Sequence, residues 1–212
     1  MTGRRPTPQG RAARLRLRHG LHVARRGADL LDRKLQVLLE RHGRLQQDAE
    51  RAEAQWRERW TEAQTWLLRG LLVSGEGGPA AAAVAGRADV VVEWTVSMGV
   101  RHPSGASCTD AIRAPYEPAP GNTALAHAEG AYREAVRAAA AYAAHRTAAR
   151  MVEEEAARTR RRVRALRRHW IPRLTAELAA VEQAVEQTEH EDAVRRRWAA
   201  DRTGGTGDGR YG

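Results

Sequence analysis

The sequence predicts a mainly α fold: a long two-helix antiparallel coiled coil with a short β-hairpin inserted between the helices. The 212 residues contain no Phe and only 5% aromatic residues, which is too little for a compact core of ordinary composition. Ala and Arg are abundant, and with Leu, Glu and Gln they are among the best helix formers. Two segments carry an apolar heptad repeat, and a segment rich in helix breakers separates them.

The first repeat predicts a helix over residues 11–73, a stretch without Pro. Its seam positions alternate in steps of four and three, and eleven of the first twelve are apolar. Such spacing is typical of a coiled-coil seam, and the consecutive steps of four at its end predict a local stutter. The seam comprises Leu17, Leu21, Ala24, Ala28, Leu31, Leu35, Leu38, His42, Leu45, Ala49, Ala52 and Trp56, then Trp60, Ala63, Leu67 and Leu71.

The segment 74–122 breaks this pattern and predicts the inserted hairpin. Gly and Pro end the helix, and β-branched and aromatic residues then favour a strand. The predicted pieces are breakers at 74–79, a short Ala-rich helix at 80–85, a strand at 90–96, a turn at 99–105 and a weaker return strand at 108–112.

The second repeat predicts a helix over residues 123–202, with Asn122 or Thr123 as its N-cap. Pro172 lies inside this helix and predicts a slight bend, because it removes one backbone hydrogen bond. Residues 1–10 and 203–212 are predicted to be flexible tails. The second seam comprises Ala124, Ala128, Ala131, Ala135, Ala138, Tyr142, His145, Ala149, Val152, Ala156, Thr159, Val163, Leu166 and Trp170, then Leu174, Leu178, Val181, Val185 and Thr188.

Both seams belong to one chain, so the helices must return on each other, and antiparallel pairing is the simplest arrangement. The many Ala seam positions allow close approach of the two axes. Each buries little area, which stabilises the pairing by less than about 1 kcal/mol per side chain. We therefore expect the helices to need bound partners for full rigidity.

The net charge of +10 is compatible with three classes of binding partner: nucleic acid, an anionic membrane and an acidic protein. Acidic residues are interleaved along both helices, which argues against a continuous nucleic-acid-binding face. No run of eighteen apolar residues and no signal peptide is present, so we expect a cytoplasmic protein without direct membrane insertion. Cys108 is the only cysteine, which excludes an intramolecular disulfide.

The sequence offers no catalytic or cofactor-binding motif. The segments GEGGPAAAAVAGR and GTGDG lack the features of a phosphate-binding loop, so we expect no cofactor and no catalytic residue. His42 and His145 occupy seam positions without nearby metal-ligand spacing, which favours packed histidines and no metal. Trp56, Trp60 and Trp66 lie on or beside the seam, so we interpret them as packing residues rather than as a base-stacking platform.

Three sequence blocks lie in a fixed order along the chain: residues 14–39, SMGVRHP at 97–103, and 158–202. Together they resemble the D subunit of V/A-type ATPases. Arg164 and Arg167 depart from the family pattern, which has Asn and Glu there and is less basic. The matching positions are Gly27, Leu30, Leu31, Asp32, Arg33 and Lys34 in the first block, and Thr159, Arg161, Arg162, Val163, Ala165, Leu166, Ile171, Pro172 and Leu174 in the third.

The resemblance implies the central rotor shaft of a rotary ATPase, a non-catalytic subunit that couples ATP synthesis or hydrolysis to ion transport. Its implied partners are the catalytic A and B subunits of the head, the small F subunit of the stalk and the socket subunit of the membrane ring. It also implies a cytoplasmic position, peripheral to a bacterial inner membrane. The residues that we expect to contact partners are Arg11, Arg14, Arg18, Arg25, Arg26, Lys34, Trp94, Met98, Arg161, Arg162 and Trp198.

Two other functions compete with this interpretation. A basic coiled coil could bind nucleic acid, and a two-helix hairpin resembling spectrin could act as a scaffold. Neither alternative explains an inserted hairpin that carries SMGVRHP at 97–103.

Overall fold

The computed structural model describes residues 10–204, and its elements follow the predicted order of helix, hairpin and helix. The predicted tails at 1–10 and 203–212 lie outside the described residues, except for Gly10, Thr203 and Gly204 at their inner ends. The elements are α1 (Arg11–Ser74), α2 (Gly77–Ala81), β1 (Asp89–Ser97), β2 (Val100–Thr109), α3 (Thr123–Ala165), a π-helical turn (Leu166–Trp170) and α4 (Ile171–Gly204).

The chain divides into two compact units. Of the described residues, 10–33 associate with 160–204, and we name these the terminal unit. Lys34–Thr159 form the second, the hairpin unit, which contains both strands.

The helices pair in antiparallel fashion within each unit, which confirms the predicted fold class. Residues later on α1 contact residues earlier on the second helical segment. In the terminal unit the ion pairs that show this order are Arg11–Glu189, Arg18–Glu182 and Asp32–Arg167. In the hairpin unit the corresponding contacts are Lys34–Glu155, Trp56–Tyr142 and Trp66–His127.

Each unit buries a narrow apolar stripe made mostly from the predicted seam residues. Leucines of α1 meet small residues of α3, which permits close contact between the two helices. In the hairpin unit the stripe consists of Leu35, Leu38, Leu45, Ala148, Ala149, Val152 and Ala156, with Val100 of the hairpin packed against it. In the terminal unit it consists of Ala13, Val181 and Val185, with Leu17 against them.

Three predicted seam positions are wrong, because Trp60, Trp170 and Thr188 are exposed. Trp60 makes an edge-to-face contact with Tyr132, with 5.6 Å between the ring centroids. Trp170 ends the π-helical turn and is 56% exposed.

The π-helical turn lies directly before Pro172. Its closing bond runs from the Ile171 N–H to the Leu166 carbonyl, five residues earlier. Pro172 has no N–H with which to continue the α-helical ladder, so the backbone rearranges just ahead of it. The wider turn holds an extra residue, and this changes the phase of the helix and carries Trp170 out of the seam.

The hairpin differs from its prediction in turn and register. The predicted turn at 99–105 and return strand at 108–112 are wrong: the turn is only Met98–Gly99, and β2 extends over Val100–Thr109. Both turn residues have positive φ, 53° and 80°, as a tight two-residue hairpin turn requires. The turn was predicted around Pro103 because proline is common in turns, whereas Pro103 lies within β2.

Pro103 is accommodated inside β2 by an irregularity in the pairing. Glu93 pairs with Gly105 and Trp94 pairs with Pro103, which leaves Ser104 as an extra residue on β2. A bulge of this kind interrupts the ladder locally and makes room for a residue that cannot donate a hydrogen bond.

The remainder of the insert is held by polar contacts rather than by regular structure. The short helix is α2 at Gly77–Ala81 and does not extend over the predicted 80–85. The Glu117 carboxylate accepts hydrogen bonds from the N–H groups of Ala85 and Ala114, both at 2.9 Å. The bond from Ala85 and then that from Ala114 lower the pKa of Glu117, because both favour its charged form.

The junction between α1 and α3 depends on Gly70. Asn122 caps α3 by accepting the Leu125 N–H at 2.8 Å, and its amide donates to the Gly70 carbonyl at 3.3 Å. A Cβ added at Gly70 would lie 2.5 Å from Leu125 Cδ2 and 2.8 Å from its Cγ. A side chain at position 70 therefore requires the buried Leu125 side chain to shift.

We predict that Gly70→Ala lowers the free energy of unfolding. Overpacking costs about 1–3 kcal/mol, more than the gain in helix propensity of about 1 kcal/mol. Gly43→Ala is the matched control, because nothing lies within 4 Å of a Cβ added there. Its unfolding free energy should rise by about 0.5–1 kcal/mol in urea titration. Equal stabilisation by both changes would contradict the close contact at Gly70.

We also predict that Met98→Asn stabilises the hairpin. Met98 has a left-handed conformation that costs an ordinary side chain about 1 kcal/mol or more, whereas Asn-Gly is the preferred sequence for this turn. Amide hydrogen exchange across β1 and β2 should become several-fold slower. Ser107→Asn, on a strand away from the turn, is the control and should not slow exchange.

Candidate partner-binding surfaces

The tryptophans of α1 contact aromatic side chains of α3 rather than forming an open platform. Trp66 also has the Arg69 guanidinium 4.6 Å from its ring centroid. Trp56 and Trp66 are therefore half-buried by contacts inside the hairpin unit, as the packing interpretation expected, whereas Trp60 contacts Tyr132 but remains 42% exposed. The pairs are Trp56–Tyr142 (centroids 5.7 Å apart, stacked), Trp60–Tyr132 (5.6 Å, edge-on) and Trp66–His127 (4.6 Å, stacked).

The seam histidines lie in a packed setting. His42 Nδ1 is 3.2 Å from the Ala149 carbonyl oxygen on the facing helix, a hydrogen bond when that nitrogen carries the proton. His145 is half-buried on α3. Across residues 10–204, no group of three or more His, Cys, Asp or Glu side chains is placed to hold a metal ion.

The first arginines of α1 make contacts inside the terminal unit. Arg11 binds Glu189 at 2.7 Å, and Arg18 binds Glu182 at 2.5 Å. These pairs are solvent-exposed, so they fix register more than they add stability. Arg14 is half-buried, and its Nε has no hydrogen-bond partner among the described residues.

Four other predicted contact residues form an unpaired basic set. Arg25 and Arg26 of α1, and Arg161 and Arg162 of α3, are exposed. None of them makes an ion pair with another residue in the described range 10–204. Guanidinium groups left without a carboxylate remain available to an acidic partner.

Two acidic side chains of α1 bind a different arginine. Asp29 and Asp32 of α1 both lie near Arg167, at 3.5 and 3.1 Å. Arg167 is one of the departures from the family pattern, and here it joins the two helices of the terminal unit.

Lys34 differs from the arginines because its partner is partly buried. Its Nζ lies 3.0 Å from Glu155 Oε1, with side-chain exposures of 28% and 19%. Partial burial reduces solvent screening, so this pair holds α1 against α3. Lys34 therefore has a structural role in the hairpin unit.

The apolar residues of the predicted set are exposed. Trp94 on β1 is 47% exposed, and the Arg101 guanidinium lies 4.8 Å from its ring centroid. Met98 projects at the turn, and Trp198 of α4 is 73% exposed. Exposed Trp side chains of this kind are enriched at protein interfaces.

Two features were missed by the sequence analysis. Exposed Trp170 was assigned to the seam, and the change of phase at the π-helical turn was the missing information.

An apolar groove of about 480 Å³ also lies between the hairpin and α3. It is lined by Val90, Val92 and Trp94 of β1, facing Ala139, Ala140, Ala143 and Ala144. The alanine run at 138–141 was the available signal, because small side chains allow a neighbouring element to approach.

Comparison with known proteins identifies the family. A sequence model that describes the D subunit of ATP synthase matches residues 13–201, which include both long helical segments and the hairpin. Among curated proteins, none matches the chain. No helix within residues 10–204 combines the length and apolarity needed to cross a membrane. The chain belongs to the ATP synthase D-subunit family, which is the D subunit of V/A-type ATPases, and it is a stalk component of a rotary ATPase.

Proposed function

We propose that the protein is the central rotor shaft of its ATPase and mechanically couples ATP synthesis or hydrolysis in the catalytic head to ion transport through the membrane ring. The observation that carries this proposal is the family match over residues 13–201. It covers both paired helical segments, so the coiled coil itself is the matched feature.

The mechanism requires no catalytic group on this chain. Rotation brings different sides of the shaft to the catalytic interfaces in turn. Each orientation binds one conformation of the head better than the others, and only such a difference in binding free energy shifts a conformational equilibrium. The protein is therefore a non-catalytic subunit, and ATP is bound and hydrolysed on other chains.

The partners in this proposal are the catalytic A and B subunits, the small F subunit of the stalk and the socket subunit of the ring. The unpaired arginines support contact with acidic surfaces of the head. Arg161 and Arg162 are exposed on α3 without an ion pair in the described range, and Arg25 and Arg26 show the same property on α1. The protein would then lie on the cytoplasmic side of the membrane as a peripheral part of the complex.

The test is co-expression of the tagged chain with the A, B, F and socket subunits. We expect all of them to co-purify, and the complex should hydrolyse ATP. Replacing Arg161 and Arg162 together by Ala should weaken retention of the A and B subunits about tenfold, since two charged contacts are each worth about 0.5–1 kcal/mol.

Arg51 and Arg57 provide the charge-matched control. Each forms an ion pair within α1, with Asp48 and Glu53 respectively, so their joint replacement by Ala should leave retention unchanged. If the chain instead bound duplex DNA with a steep salt dependence and retained no ATPase subunit, the nucleic-acid alternative would replace the rotor.

A further inference from the structure

The two outer edges of the hairpin differ in their capacity to accept another strand. β1 (DVVVEWTVS) contains no Pro, Gly or Lys, and its side chains are almost all exposed. The edge of β2 is interrupted by Pro103 and by the extra residue Ser104. Prolines and bulges are the usual devices that prevent strand addition, and β1 has neither.

The backbone of β1 offers unused hydrogen-bonding groups. In an antiparallel pair, alternate N–H and C=O groups of an outer strand point away from its partner. On β1 these outward groups have no hydrogen-bond partner among residues 10–204. A two-stranded sheet is marginally stable by itself, so a third strand would stabilise it.

The two faces of β1 carry different chemistry. Val90, Val92 and Trp94 line the apolar groove beside α3. Because side chains alternate along a strand, Asp89, Val91 and Glu93 lie on the opposite face. Val91 is 60% exposed, which is unusual for a valine in a paired strand.

The charge of that outer face is opposite to the charge of the chain. Asp89 and Glu93 are exposed, and neither forms an ion pair with another described residue. They lie in a protein of net charge +10. A strand added beside β1 would place side chains directly opposite these carboxylates, where cations are favoured.

We propose that the open edge of β1 binds an extended strand of a partner polypeptide whose apolar and cationic side chains alternate. Its backbone pairs with Asp89–Ser97, its apolar side chains lie beside Val92 and Trp94, and its cations face Asp89 and Glu93. The inference rests on the proposed function, because the partner is a neighbouring subunit of the ATPase complex.

The test is amide hydrogen exchange of β1 in the isolated chain and in the purified ATPase complex. Alternate amides of β1 should exchange at least tenfold more slowly in the complex, while those of β2 change little. A complete complex in which β1 remains unprotected overturns the strand addition and leaves the rotor proposal intact. Failure to obtain any complex overturns both.

Hydrogen exchange of the isolated chain at increasing concentration tests whether a second copy of the chain, rather than a partner strand, binds the β1 edge. If β1 becomes protected as its concentration rises and a dimer forms, a second copy of the chain occupies the edge and the partner strand is wrong. We expect a monomer in which the outward-facing amides of β1 exchange rapidly over the same range.

Three charge variants test the electrostatic part. Glu93→Lys places a cation opposite the partner's cations, and we expect it to reduce β1 protection in the complex about tenfold. Ser107→Lys adds the same charge to the same face on β2 and should leave protection unchanged. Glu93→Gln, which removes charge without reversing it, should give an intermediate loss. Equal protection in all three variants would contradict the cationic partner strand, and unchanged β2 exchange in the isolated variants shows that the hairpin is intact.

Discussion

Close antiparallel contact between α1 and the second helical segment is the constraint on which the rest of the structure depends. Its buried residues are largely small: Ala148, Ala149 and Ala156 face the leucines of α1. Small seam residues bring the two backbones near each other, so the contact buries little area per residue and tolerates little added volume. Gly70 against Leu125 shows this limit at the end of the pairing.

A seam this narrow explains why polar and aromatic contacts recur along it. Lys34–Glu155 and the aromatic pairs of α1 with α3 add directional contacts where alanines supply none. Such contacts select one register among several that an alanine seam would allow. In the proposed rotor shaft, a unique register matters more than a large free energy of unfolding.

Much of the fold follows from residue spacing alone. The alternating steps of four and three predicted helix pairing, and the valines at 90–92 predicted a strand. The hairpin turn was misplaced because Pro103 and Gly105 signal a turn locally, whereas pairing across the bulge at Ser104 retains them within β2. The consecutive steps of four from Leu166 through Leu178 predicted a stutter with Trp170 still in the seam, whereas a π-helical turn changes the helical phase there and leaves Trp170 exposed.

The candidate surfaces were less predictable than the fold. Arg11 and Arg162 look alike in sequence, yet Arg11 binds Glu189 whereas Arg162 forms no ion pair with another described residue. That distinction depends on which carboxylates lie on the facing helix, and therefore on register. The open edge of β1 could not be predicted from the sequence, because it depends on the strand pairing. The pairing shows that the bulge lies in β2 and that β1 is uninterrupted.

The central claim is that this chain rotates within the ATPase. The most direct measurement is single-molecule rotation of the assembled complex, with the head immobilised and a bead attached through Ser107→Cys in a Cys108→Ser background. The account predicts stepwise rotation of the bead in one direction under ATP. A stationary bead on a complex that hydrolyses ATP and retains this chain would contradict it.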